Sequence, residues 1–88
     1  MPITKIYPAS HFVKAYKKLP ENIKARAKQQ EKKFTVTPFD TSLKTHKLKG
    51  ELEGFWSYSV NYQYRILFRF LKGNEVIYYD IGTHEMYR

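Results

Sequence analysis

Trp56-Ser57-Tyr58-Ser59-Val60-Asn61-Tyr62, followed after one residue by Tyr64-Arg65-Ile66-Leu67-Phe68-Arg69-Phe70, is the stretch whose reading decides the fold. Side chains alternate across a β-strand, so residues two apart share a face. The first run puts Trp56, Tyr58, Val60 and Tyr62 on one face. The second puts Tyr64, Ile66, Phe68 and Phe70 on one face, with Arg65, Leu67 and Arg69 opposite. Lys72-Gly73-Asn74 reads as a turn, and Glu75 to Ile81 reads as a further strand. Three strands joined by short links predict a twisted antiparallel meander.

Upstream of the meander the apolar period changes. Phe12, Tyr16, Leu19 and Ile23 are spaced by four, three and four, the stripe of an amphipathic helix. Pro20 falls inside that stripe, and an interior proline costs a helix about 3 kcal/mol. The segment therefore splits into a first helix over about 10–19 and a second that Pro20 opens at its first turn. Glu21 suits the dipole there. The second helix runs to about Phe34, with Ile23, Ala27 and Phe34 on its buried face. Residues 2–7 alternate apolar and polar and predict a short strand. Residues 35–54, with Pro38, Gly50 and Gly54, read as an irregular connection. The order β-α-α-β-β-β predicts an α+β domain over residues 1–88, a helical hairpin packed on one face of a twisted antiparallel sheet.

Eighty-eight residues bury only roughly 60–65% of their unfolded surface. Eight Tyr, six Phe and one Trp compensate, because each aromatic buries a large area. The absence of cysteine excludes a disulfide framework and a thiolate metal site. Met1-Pro2-Ile3-Thr4-Lys5 has no apolar run of the kind a signal peptide carries, and no segment approaches the ~20 apolar residues of a transmembrane helix. The expectation is a cytoplasmic protein with no membrane partner. Sixteen basic residues against eight acidic leave a net charge of +8. That excess favours nucleic acid, an acidic protein or an anionic surface as partner, although a solubilising charge alone produces the same balance.

Three side chains carry the candidate chemistry. Arg65 lies mid-strand, opposite the most apolar face; either it pairs with a carboxylate on a solvated sheet face, or the rigid strand aims its guanidinium at a phosphate. His84 follows the last strand directly after Gly82-Thr83, a position suited to a cleft and equally common for a surface histidine. His46 lies among Lys44, Lys47 and Lys49. Neighbouring cations disfavour imidazolium, and a neutral imidazole is what a general base requires. In an extended chain Lys47 and Lys49 lie on the side opposite His46, where they can hold phosphates, or the stretch is simply a charged loop. Tyr87 can stack on a base or fold onto the core.

The three histidines, His11 included, have no metal-ligand spacing. No nucleophile motif and no glycine-rich phosphate loop is present. What remains is metal-free and cofactor-free acid–base chemistry with cationic stabilisation, which suits a ribonuclease. RNA supplies its own 2′-hydroxyl nucleophile, and cations stabilise the charge gathering on phosphorus.

Leu43-Lys44-Thr45-His46-Lys47-Leu48-Lys49-Gly50, Leu52-Glu53-Gly54-Phe55-Trp56-Ser57, Tyr64-Arg65-Ile66-Leu67-Phe68 and Asp80-Ile81-Gly82-Thr83-His84 together resemble the RelE/ParE superfamily of type II toxin–antitoxin toxins. Phe12-Val13-Lys14-Ala15-Tyr16-Lys17-Lys18-Leu19-Pro20 resembles the start of that family's helical hairpin. The resemblance, to RelE-, YoeB- and YafQ-like members, implies an mRNA interferase that cuts mRNA in the ribosomal A site and is neutralised by a cognate antitoxin. It implies Arg65 as the stabiliser of the scissile phosphate, His84 as general acid and His46 as general base. Lys47 and Lys49 resemble the family's basic RNA-binding residues, and Tyr87 its terminal aromatic. Two departures stand out. Only Glu85 and Met86 separate His84 from Tyr87, and Tyr58 and Ser59 stand where some relatives carry basic residues. ParE-type members act on DNA gyrase and generally lack the acid–base set. Gyrase inhibition, or a non-catalytic basic RNA-binding module, is the alternative reading.

Overall fold

A computed structural model describes residues 2–83 of the chain. His84 and Tyr87, both expected to belong to the site, lie outside the described residues. The elements run β1 (Lys5–Pro8), α1 (Ser10–Lys17), α2 (Glu21–Val36), β2 (His46–Lys47), β3 (Trp56–Ser59), β4 (Tyr64–Phe70) and β5 (Glu75–Thr83). All five strands form one sheet in the order β1-β5-β4-β3-β2.

The meander is antiparallel, as the alternation implied: β2–β3, β3–β4 and β4–β5 each pair antiparallel. The first strand departs from the expectation of an all-antiparallel sheet. It lies parallel to β5, with Lys5 opposite Glu75 and Pro8 opposite Tyr78. Local alternation specifies a strand but not its neighbour, and a parallel neighbour comes from the far end of the chain.

The helices follow the stripe, with their boundary at Pro20. α1 stops at Lys17, where the Lys18 and Leu19 N–H groups bond back to Ala15 and Tyr16. Pro20 caps α2, and its carbonyl accepts from Ile23 and Lys24. Phe34 is the centre of the core, with ring centroids 4.4 Å from Tyr58 and 4.9 Å from Phe68. Phe12 of α1 packs 5.0 Å from Tyr78. The Tyr58 and Tyr78 hydroxyls meet at 2.7 Å inside this cluster, which satisfies both, and burial pushes both hydroxyls above the usual tyrosine range.

Two more expectations change. The connection over 35–54 is not wholly irregular: it holds β2 and two 3-10 turns, Thr41–Leu43 and Gly50–Leu52. The strand read as running to Tyr62 ends at Ser59. Asn61 is the reason, since its Oδ1 accepts the N–H groups of Gln63 and Tyr64 at 2.9 and 2.7 Å and bends the chain into the next strand. Tyr62 is thrown outward and is 82% exposed rather than sharing the core face. The link from β4 to β5 turns at Gly73 and Asn74, both at positive φ, a conformation glycine reaches without steric cost.

Candidate active site

The sheet face away from the core is built by the alternation that buries Tyr58, Val60, Ile66 and Phe68 on the other side. Residues directly opposite in an antiparallel ladder share a face. His46 stands opposite Ser57, and Ser57 opposite Leu67. The next row is Ser59, Arg65 and Gly82. His46 and Arg65 therefore occupy one face, separated by two strand spacings and one row, a Cα distance of about 12 Å from ideal sheet dimensions. The face is graded. At one end Phe55 meets Tyr79 edge-on at 5.0 Å, with the Arg69 guanidinium 5.5 Å over the Phe55 ring. At the other end lie the two serines, Arg65 and a glycine that adds no side chain.

Arg65 is half-buried, and its Nη1 donates to Ser59 Oγ at 2.6 Å across the β3–β4 pair. A strand residue with its side chain tied to the neighbouring strand is held in direction as well as position. Ser57 is fully buried, and its hydroxyl has no hydrogen-bond partner among the described residues. Both serines were legible only as the polar half of an alternation; Ser57 is flanked by β2 and β4, and Ser59 by β4 on one side and Gln30 of α2 on the other.

His46 is exposed on β2, and its Nδ1 lies 2.8 Å from the Lys44 carbonyl oxygen. A carbonyl oxygen can only accept, so Nδ1 carries the proton. In the neutral ring Nε2 then holds the lone pair. Lys44 makes this contact from a left-handed conformation, φ 53°. That conformation is costly for a non-glycine residue, and it is held by the turn before it. Asp40 Oδ1 accepts from the Ser42 hydroxyl at 2.7 Å and the Ser42 N–H at 2.9 Å. Those two bonds hold the Asp40 carboxyl below the usual aspartate range. Lys33 Nζ donates to Ser42 Oγ, and Thr45 Oγ1 donates to the Pro38 carbonyl.

The lysines part company with His46. Lys47 is paired opposite Trp56 and lies with its Nζ 5.9 Å from the Trp56 ring centroid, on the helix-side face. Lys49 is exposed just before the second 3-10 turn. β5 ends at Thr83, opposite Tyr64 and one residue past Gly82, so the described chain stops beside Arg65. His11 lies on α1, and its Nε2 is 3.2 Å from Asp80 Oδ1.

Residues 5–84 match the family described as RelE-like toxin of type II toxin–antitoxin system HigB. The chain belongs to this HigB-like family of RelE-like toxins. Solved structures agree on the fold. The toxin superposes on the YoeB/ParE toxin from Agrobacterium tumefaciens with a TM-score of 0.77 at 19% identity, covering 92% of this chain and 99% of that one. It superposes on YafQ from E. coli with a TM-score of 0.74 at 16% identity, covering 93% and 94%. The archaeal RelE–RelB complex from Pyrococcus horikoshii OT3 matches with a TM-score of 0.74 at 17% identity, covering 94% and 96%. No curated protein sequence matches the toxin.

Two α2 side chains not read as site residues in the sequence, Arg26 and Gln30, lie at the edge of β3. β2 pairs only as far as Ser57. Beyond it the Ser59 carbonyl accepts from Gln30 Nε2 at 3.0 Å, and the Val60 carbonyl accepts from Arg26 Nε at 3.0 Å. α2 thus closes the open sheet edge with two side chains. Gln30 had a signal: it falls in the stripe Ile23, Ala27, Gln30, Phe34, and a polar residue at a core position of a helix has a buried partner to satisfy.

Proposed function

We propose that this toxin is an endoribonuclease that cleaves mRNA in the ribosomal A site by metal-independent acid–base chemistry. The observation that carries the reading is the placement of His46 and Arg65 on one sheet face, with the His46 Nδ1 proton committed to the Lys44 carbonyl. In the proposed reaction His46 Nε2 takes the proton of the RNA 2′-hydroxyl. The 2′-oxygen bonds to phosphorus, the bond from phosphorus to the 5′-oxygen breaks, and His84 supplies the proton to that leaving oxygen. The products are a 2′,3′-cyclic phosphate and a 5′-hydroxyl. Arg65 stabilises the charge that gathers on the phosphoryl oxygens. Lys47 and Lys49 attract the RNA backbone from the β2 edge, and Tyr87 stacks on or orients a base.

The proposed partners are the ribosome with its mRNA and a cognate antitoxin. The solved relatives include toxin–antitoxin pairs, YoeB–YefM from Staphylococcus aureus and RelE–RelB from P. horikoshii. Expression without the antitoxin is expected to stop growth and translation, and programmed ribosomes are expected to show cleavage in the A site. Arg65→Ala and His84→Ala are each expected to relieve both effects. If both variants remain fully toxic through DNA damage, with gyrase supercoiling inhibited in vitro, the nuclease reading is wrong.

A further inference from the structure

Beside the edge of β3 that α2 covers, the surface forms an open pocket of about 230 Å³. Arg26, Gln30, Lys44, Ser59, Tyr62 and Arg65 are among the residues that line it. Three of its lining residues are permanent or near-permanent cations, and among the described residues none that lines it is Asp or Glu. Cations gathered in a concave site without a carboxylate focus a positive potential. The pocket is also built rather than incidental. Arg26 is oriented by its Nε bond to Val60, which commits one of its five N–H donors. Gln30 is 3% exposed and anchored to Ser59. Lys44 is held in its left-handed conformation by the Asp40–Ser42 turn. At the mouth stands Tyr62, 82% exposed, on the turn that Asn61 sets.

We infer that this pocket is a nucleotide subsite for single-stranded RNA, in which Arg26 and Lys44 hold a backbone phosphate and Tyr62 offers its ring to the adjoining base. It rests on the reading of the toxin as acting on RNA, and it adds to that reading a second contact, one nucleotide or more removed from the phosphate that Arg65 faces. Arg65 lines both the pocket and the His46 face, so one RNA strand can run across the two without a break. The exposed ring favours RNA over an acidic protein segment, because a base has a π-face to stack and a carboxylate has none.

The test is fluorescence anisotropy with a labelled, fully 2′-O-methylated RNA hexamer, which cannot be cleaved by 2′-oxygen attack. Binding is measured across a salt series for the full chain and for Lys44→Gln, Tyr62→Ala and Arg26→Lys. Lys44→Gln is expected to weaken binding and to reduce the slope of log K against log salt by about 0.7, the loss of one single-strand phosphate contact. Tyr62→Ala is expected to weaken binding at least about fivefold with the slope unchanged. Arg26→Lys keeps the charge, so unchanged slope with weaker binding separates orientation from charge. Thermal melting of each variant confirms the fold. The subsite is refuted if the hexamer does not bind the parent chain, or if Lys44→Gln and Tyr62→Ala both bind it as the parent does. It is also refuted if a poly-glutamate peptide binds in a Lys44-dependent way and the hexamer does not. None of these outcomes depends on cleavage, so loss of the ribonuclease reading, seen in the A-site assay, is recorded separately.

Discussion

Ser59 is one of the groups that hold Arg65 in direction. A guanidinium on a solvated strand samples many directions, and the Nη1 bond to Ser59 Oγ removes much of that freedom. Misplacement of a reacting group by an ångström costs about 100-fold in rate. On the proposed ribonuclease reading, Ser59→Ala is therefore expected to lower A-site cleavage by about 10- to 100-fold while the melting temperature stays near that of the parent. A variant with parental cleavage shows that Arg65 aims without this bond. Asp40 acts one step further back, through the turn that carries Lys44. Its carboxyl titrates below the ordinary value of 3.8 in the folded chain. A lowered pKa stabilises the folded state above 3.8 and loses that contribution as pH falls through the folded value. Asp40→Asn is expected to be less stable than the parent near neutral pH, with the gap closing in strong acid. Denaturant unfolding at several pH values measures it, and a gap independent of pH excludes the carboxylate as the cause.

Among the elements, α2 does the most. Its stripe buries Ile23, Ala27, Gln30 and Phe34, and one of the four is polar because the helix also caps the edge carbonyls of β3. Phe34→Ala removes the ring that touches Tyr58 and Phe68, and truncation of a buried phenylalanine costs about 3–5 kcal/mol. Small domains hold only about 5–15 kcal/mol in total, so the variant is expected to be largely unfolded at moderate denaturant. Retention of the parental denaturation midpoint contradicts the placement of Phe34 at the centre of the core. The elements also show where local reading worked. The alternation of Tyr64 to Phe70 gave β4 its faces without error, even though its pairing with β5 shifts register between Leu67 and Phe68. Trp56 to Tyr62 alternated equally well and still ended early, because the Asn61 side chain bonded two backbone N–H groups ahead of it. Periodicity carries no information about that competition.

For the whole molecule the governing quantity is the charge of +8. Lys47, Lys49, Lys44, Arg26 and Arg65 place five of the sixteen basic residues on the β2 edge, the cavity and the outer sheet face, and the helices carry others. If the charge serves RNA as proposed, binding is expected to fall steeply and linearly in log salt, at about 0.7 per phosphate held. A slope near zero, measured with the full chain, shows that the charge serves solubility alone.

The sequence by itself determined β1, β4 and β5, the helical hairpin broken at Pro20, and the two faces of β4, because each depends on side chains within a few residues. It also singled out His46 and Arg65 as the residues to watch. Only the tertiary structure decided that β1 lies parallel beside β5, that His46 and Arg65 share one face while Lys47 turns to Trp56, and that Arg26, Gln30 and Lys44 meet at the open edge of β3. These are pairings between residues far apart in the chain. Their partners are chosen by packing and by carbonyls that must find a donor, and neither is written in local order.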